Sequence, residues 1–347
     1  MAISVVSVGT NSPEGYNVNK VQKEIQEELR KAYHDSPKAP RHIKLPAALD
    51  VEMAEKGLRL RVDAKSVKAN MQSDAAAVES WALVLRLWLT EKRVPHIVLD
   101  WDEPTEGTDG HYERFLYRVE QFRRLFPEWF EVADPQKLQR SRALSETSLR
   151  LNVASSRASQ YEPKTTSREY KFESTLINSP DFRQHFALEL VDRQFPVGLF
   201  AKTVSKTTRI FTGGKSAIDI VGVDKDNHFF IFELKAGNNF KVGILSELLL
   251  YTSLIREAAQ MRIQFDTQKR NVGIGPDRVR KCSGINAVML VENSHPLLEH
   301  PQLISTLNNA ANDHWNHETG AKPVCFSKAR VSEVGGKVLV RDFEGGC

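Results

Sequence analysis

Residues 217–237, "AIDIVGVDKDNHFFIFELKAG", place Asp219 in one apolar run and Glu233 and Lys235 in the next. Burying charge is costly unless it is paired, hydrogen-bonded or bound to metal. Side chains two apart on a strand share a face, so Glu233 and Lys235 point the same way. Lys225, Asp226 and Asn227 fit a three-residue hairpin loop, with Asn227 in the left-handed conformation that closes such a loop. In that register Asp224 opposes His228 and Asp219 opposes Glu233, which brings the two acidic Cβ atoms to about 5 Å from each other. A four-residue loop would turn Asp219 to the opposite face, so the reading depends on the turn.

Two adjacent carboxylates repel, and a cation between them relieves the repulsion. Lys235 supplies part of that relief and a divalent ion supplies more. Mg²⁺ prefers carboxylate oxygens and keeps several waters. A water activated there with help from Lys235 is a nucleophile suited to a phosphodiester, and the metal and the ammonium offset the charge that develops on phosphorus.

Outward from the hairpin, Thr166 and Glu169 form a capping-box pattern that opens a helix over 167–178. Ser179 followed by Pro180 opens another. Residues 188–197 read as a strand, 240–263 as a long and largely buried helix, 285–292 as an apolar strand and 300–315 as a helix. The stretch 322–343 reads as a strand and then a hairpin turned by Gly335 and Gly336. This order gives a mixed sheet flanked by helices.

The chain has 347 residues, 41% hydrophobic and 27% charged, which points to a soluble globular protein of two domains. Residues 136–166, rich in Ser, Thr and Arg, read as a linker between an N-terminal α/β domain (1–135) and a C-terminal domain (167–347). In the first domain, 58–62 and 95–101 read as strands, and 74–92 and 110–126 as helices. The second of these helices carries Arg114, Arg118, Arg123 and Arg124 on what reads as a solvated face, the competing reading being contact with DNA phosphates. No apolar run is long enough to span a membrane, and the first residues lack a signal-peptide pattern. Cys282, Cys325 and Cys347 are far apart, which argues against a zinc site or a disulfide framework and fits a cytoplasmic setting. Net charge is +4, and two acid-poor runs, one over 201–215 and one from Arg262 to Lys281, bracket the hairpin in sequence, as a nucleic-acid partner would favour.

The pattern "IDIVGVD…FFIFELKAG" resembles the PD-(D/E)xK nuclease superfamily, the restriction-endonuclease-like fold, over about residues 165–295. The resemblance implies that Asp219 and Glu233 hold Mg²⁺ or Mn²⁺ and that Lys235 orients or activates the attacking water. It implies a further acid on the preceding helix, matched by Glu173, and a strand glutamine, matched by Gln194. Members of several branches carry a Gln and a Tyr on the following helix; here Tyr251 matches, but Glu247 stands where Gln is expected. Gln194, Lys215, Lys241 and Tyr251 are the expected nucleic-acid contacts. The implied activity is metal-dependent cutting of DNA, in defence against foreign DNA or in repair. A homodimer is expected for double-strand cutting, with the N-terminal domain engaging a substrate, partner or signal. The alternatives are a non-catalytic nucleic-acid-binding or assembly module on the same fold, and a ribonuclease.

Overall fold

A computed structural model describes residues 20–32, 43–90, 93–105, 110–145, 147–154, 167–211, 216–237, 241–267 and 273–345. In chain order they form α1 (Lys20–Ala32), β1 (Leu49–Ala54), β2 (Gly57–Val62), α2 (Val78–Leu89), β3 (His96–Trp101), α3 (Gly110–Leu125), β4 (Phe130–Val132), α4 (Gln139–Ser145) and β5 (Leu149–Leu151). There follow α5 (Arg168–Asn178), α6 (Pro180–His185), β6 (Leu188–Pro196), β7 (Leu199–Ala201), β8 (Ala217–Asp224), β9 (His228–Lys235), α7 (Gly243–Ala259) and β10 (Ile263–Phe265). The last elements are α8 (Pro276–Arg280), β11 (Gly284–Val291), α9 (Leu303–Ala310), β12 (Val324–Val334) and β13 (Lys337–Gly345).

The chain is an α/β protein with mixed sheets of four strands (β1-β2-β3-β4), three strands (β10-β5-β7) and six strands (β13-β12-β11-β9-β8-β6). Within the largest, β9, β11 and β12 run parallel, while β6, β8 and β9 form an antiparallel meander. Both faces of β9 are buried, which explains its near-continuous apolar run. Phe230, Phe232 and Leu234 pack with Phe172, Leu176, Phe182 and Phe186 from the α5–α6 side. Phe229 and Ile231 face the larger core, which contains α7.

Every residue of α7 is buried, as expected of a helix that is apolar around most of its circumference. Its far side packs on α2 and α3, so Leu83, Val84, Phe115 and Val119 share one core with Leu245, Leu248, Leu250 and the sheet. A polar network crosses this core. Arg118 on α3 donates to both Glu79 oxygens, at 2.8 and 2.5 Å, and to the Ala76 carbonyl. Ser246 on α7 donates to Glu79 at 2.9 Å and lies 2.8 Å from the Ser80 hydroxyl. Both charges are almost fully enclosed, so removing either would leave the other buried and unpaired.

This network corrects the reading of α3. Arg114 and Arg118 are buried, 6% and 4% exposed, and offer nothing to solvent or to phosphates. Of the expected linker 136–166, residues 136–145 and 149–151 instead belong to a 3₁₀ turn, α4 and β5, and β5 pairs with both β7 and β10. Residues 155–166 and 1–19, which carry the rest of the linker and the start of the chain, lie outside the described residues. Cys282 is free and buried, whereas Cys325 is disulfide-bonded, so the expectation of a chain without disulfides does not hold there. Among the described residues no helix is long and apolar enough to cross a membrane.

Candidate metal centre at the end of the six-stranded sheet

The β8–β9 ladder pairs Ile220 with Phe232, Val221 with Ile231, Gly222 with Phe230 and Val223 with Phe229. Continued by one residue, it sets Asp219 opposite Glu233, the register of a three-residue loop. Asn227 has φ +62°, the left-handed backbone that Asn tolerates better than most residues. Asp219, Glu233 and Lys235 therefore share the face that looks toward α7. Asp219 accepts the Leu234 N–H at 2.9 Å. The Lys235 ammonium lies 2.9 Å from Glu233, 3.1 Å from Glu247 on α7 and 3.8 Å from Glu169 on α5. Asp219 is half-buried, whereas Glu233 and Lys235 are 2% and 3% exposed.

Helix α5 brings Glu173 to the same end. Arg193 holds the helix to β6 by donating to the Tyr170 hydroxyl at 2.7 Å and to Ser174 at 2.5 Å, with its guanidinium 4.1 Å above the Tyr170 ring. The next residue, Gln194, falls between the pairs Arg193–Ile220 and Phe195–Ile218, which places it opposite Asp219. Its φ is +54°, a strained backbone for a residue other than glycine, costing about 1–3 kcal/mol. From there its amide donates to Glu173 at 2.9 Å.

The acids outnumber the bases. Burial, then the Asp219 charge, pushes Glu173 up to about 8. Burial raises Asp219 to about 6, against the opposing pull of Lys235 and the Leu234 N–H. Burial, Asp219 and Glu247 together hold Glu233 well above the usual carboxyl range. For Lys235 burial works against charge, but Glu233, Glu247, Asp219 and Glu169 outweigh it and keep the amine firmly protonated. Two carboxylates about 5 Å apart at an effective dielectric of about 20 repel by about 3 kcal/mol, which favours a proton or a second cation in the cluster. A divalent ion fits the donors. They are hard carboxylate oxygens, and Glu233 Oε2 is buried without a hydrogen-bond partner.

Of the other expected residues, Tyr251 is buried on α7, its hydroxyl pushed well above its usual range by burial and by Glu247, Glu233 and Asp219. Buried beside these acids, it is not a surface contact for nucleic acid. Lys241 is exposed just ahead of α7, and Lys215 lies outside the described residues. The two basic runs part company. Residues 197–211 continue from the end where β6 stops, and there Lys202, Lys206 and Arg209 are exposed. Arg278, Arg280 and Lys281 lie instead at the opposite end, where Asn227 bonds the Lys281 carbonyl, about 16 Å of strand away from Asp219. These three residues of the second run therefore do not flank the site; Lys269 and Arg270 lie outside the described residues.

Sequence reasoning missed Glu169 and Gln72 and set Glu247 aside. Glu169 had a signal, since it lies one helical turn before Glu173. Gln72, whose amide donates to Glu247 at 2.7 Å, had none. Among the described residues, one group of three His, Cys, Asp or Glu ligand atoms packs within 4.8 Å: Asp224, Asp226 and His228 in the hairpin turn. Turn geometry accounts for it: Asp224 accepts from the Asp226 and His228 N–H groups at 3.0 and 2.8 Å and meets His228 Nδ1 at 2.8 Å. Glu173, Asp219 and Glu233 do not form such a trio, so holding one ion with all three calls for side-chain rotation or bridging water. Compared with protein-family models, curated proteins and solved structures, the chain matches none.

Proposed function

We infer that this chain is a Mg²⁺- or Mn²⁺-dependent nuclease of the restriction-endonuclease-like fold, hydrolysing phosphodiester bonds in DNA. One observation carries the reading: Glu233, Glu247, Glu169 and Asp219 gather around the enclosed ammonium of Lys235 at one end of a sheet, and the charge of the half-buried Asp219 reaches Glu173 beside it. Structural ion pairs balance their charges, whereas this cluster has carboxylates to spare. The exposed Lys202, Lys206, Arg209 and Lys241 at the same end suit a polyanion.

A bound divalent ion would activate water and offset negative charge building on phosphorus. Asp219, Glu233 and Glu173 would hold it, and Gln194 steadies Glu173. Lys235, kept protonated by its carboxylate neighbours, serves as a cation for a phosphate oxygen or for orienting water, not as a proton acceptor. The rigid strands keep Asp219 and Glu233 in register. Cutting both strands of a duplex would call for two copies of the site, hence a homodimer.

The test is cleavage of supercoiled and linear DNA, single strands and RNA with Mg²⁺, Mn²⁺ or EDTA. Wild type should cut DNA only with metal, and Asp219→Ala and Lys235→Ala should each lose about 10²–10³-fold or more. Preferential cutting of RNA would make it a ribonuclease. A folded wild type that binds DNA equally with and without metal and cuts no nucleic acid would make it a binding module.

A further inference from the structure

Glu247 sits in a helix that otherwise buries Ile244, Leu245, Leu248, Leu249 and Leu250. A carboxylate that is 2% exposed there needs a reason. Its neighbours on α7 have theirs: Ser246 bonds Glu79, Thr252 and Ser253 bond the Leu248 and Leu249 carbonyls, and Arg256 pairs with Glu257. Glu247 Oε1 accepts from Gln72. Glu247 Oε2 lies 3.1 Å from the Lys235 ammonium but receives no hydrogen bond, and Glu233 Oε2 likewise receives none. Both oxygens are buried, and both carboxyls meet the same Lys235 ammonium, at 2.9 and 3.1 Å. The one ammonium between them is shared with Glu169.

We propose that Glu247 is a further metal-binding carboxylate, which joins Glu233 in holding a divalent cation between α7 and β9 and is aimed there by Gln72. The inference rests on the reading of this end of the sheet as a metal site. Two carboxylates completed by water are a usual Mg²⁺ or Mn²⁺ donor set. Gln72 is set by close packing: at Gly243, a Cβ would meet the Gln72 Cα and the Met71 carbonyl, each at 3.2 Å. The first half of the chain thus reaches the centre through one amide.

The experiment is Mn²⁺ titration of the EDTA-stripped full chain by calorimetry, with thermal melts, on wild type, Glu247→Gln, Gln72→Ala and Glu233→Gln. Glu247→Gln should bind Mn²⁺ about tenfold or more weakly, and Gln72→Ala less severely, as loss of an orienting partner does. Wild-type affinity and stoichiometry in Glu247→Gln, with binding lost in Glu233→Gln, would overturn the proposal and leave the metal site standing. No Mn²⁺ binding by wild type would overturn both. Should Glu247→Gln fail to fold, the Mn²⁺-induced rise in Tm of Gln72→Ala decides: a reduced rise supports the proposal and an undiminished one overturns it.

Discussion

Glu173 and Asp219 titrate near 8 and near 6, against 4.5 and 3.8 for exposed groups. A carboxyl raised by folding favours the folded state while it holds its proton. That stability is complete below the ordinary carboxyl range and is lost as pH climbs through the folded values. The metal-free protein should therefore melt at progressively lower temperature between about pH 5 and 8. Glu173→Gln should flatten the upper part of this slope, because an amide does not titrate. A metal competes with these protons for the same oxygens, so Mn²⁺ affinity should rise over the same interval. Melting curves across the pH series check both; a Glu173→Gln slope identical to wild type would mean that Glu173 is ionised throughout. Asp219, Glu233 and Lys235 were legible at this scale because period-two alternation and the chemistry of Asn227 act within one hairpin.

At the scale of elements, α7 is held between a sheet and two helices, and the Arg118–Glu79–Ser246 network ties three of these elements together. Arg118 and Glu79 are both nearly inaccessible. Removing one partner of such a pair leaves a buried unpaired charge, so Arg118→Ala should cost about 3–5 kcal/mol, and Arg118→Met combined with Glu79→Gln far less. Denaturant unfolding measures both; equal losses would show that the guanidinium matters for packing and not for charge. The helical period of α3 was readable, with Tyr112, Phe115, Leu116, Val119 and Phe122 all buried. Its arginines misled because an isolated amphipathic pattern reads every charge as solvated, while a helix packed on two sides must bury some. The short strands β5, β7 and β10, of three residues each, carry too little sequence to show a period.

For the whole molecule, residues 1–135 and 167–347, read as two domains, share one core. Leu83, Val84, Phe115 and Val119 from the first half cover α7 from the second. A chain of residues 167–347 alone would expose that face, a continuous apolar surface of the kind that drives aggregation. It should be insoluble or lack a cooperative melt, and co-expression with residues 1–154 should restore one. A soluble fragment with a sharp melting transition would show that the halves fold independently.

Neighbours a few positions apart in the chain set the β8–β9 hairpin and its register, the common face of Asp219, Glu233 and Lys235, the buried α7, the cap at Ser179 and the turn at Gly335–Gly336. Contacts between residues far apart in the chain came only with packing. It brought Gln72 to Glu247 across 175 positions, set Glu169 beside Lys235, enclosed Arg118, drew β5 into a sheet, and placed Lys281 at the end of the sheet away from Asp219. The physical reason is that alternation, capping and turn preference are free energies of a short segment, whereas the company a buried charge keeps is settled only when distant segments pack and each enclosed charge must find a partner.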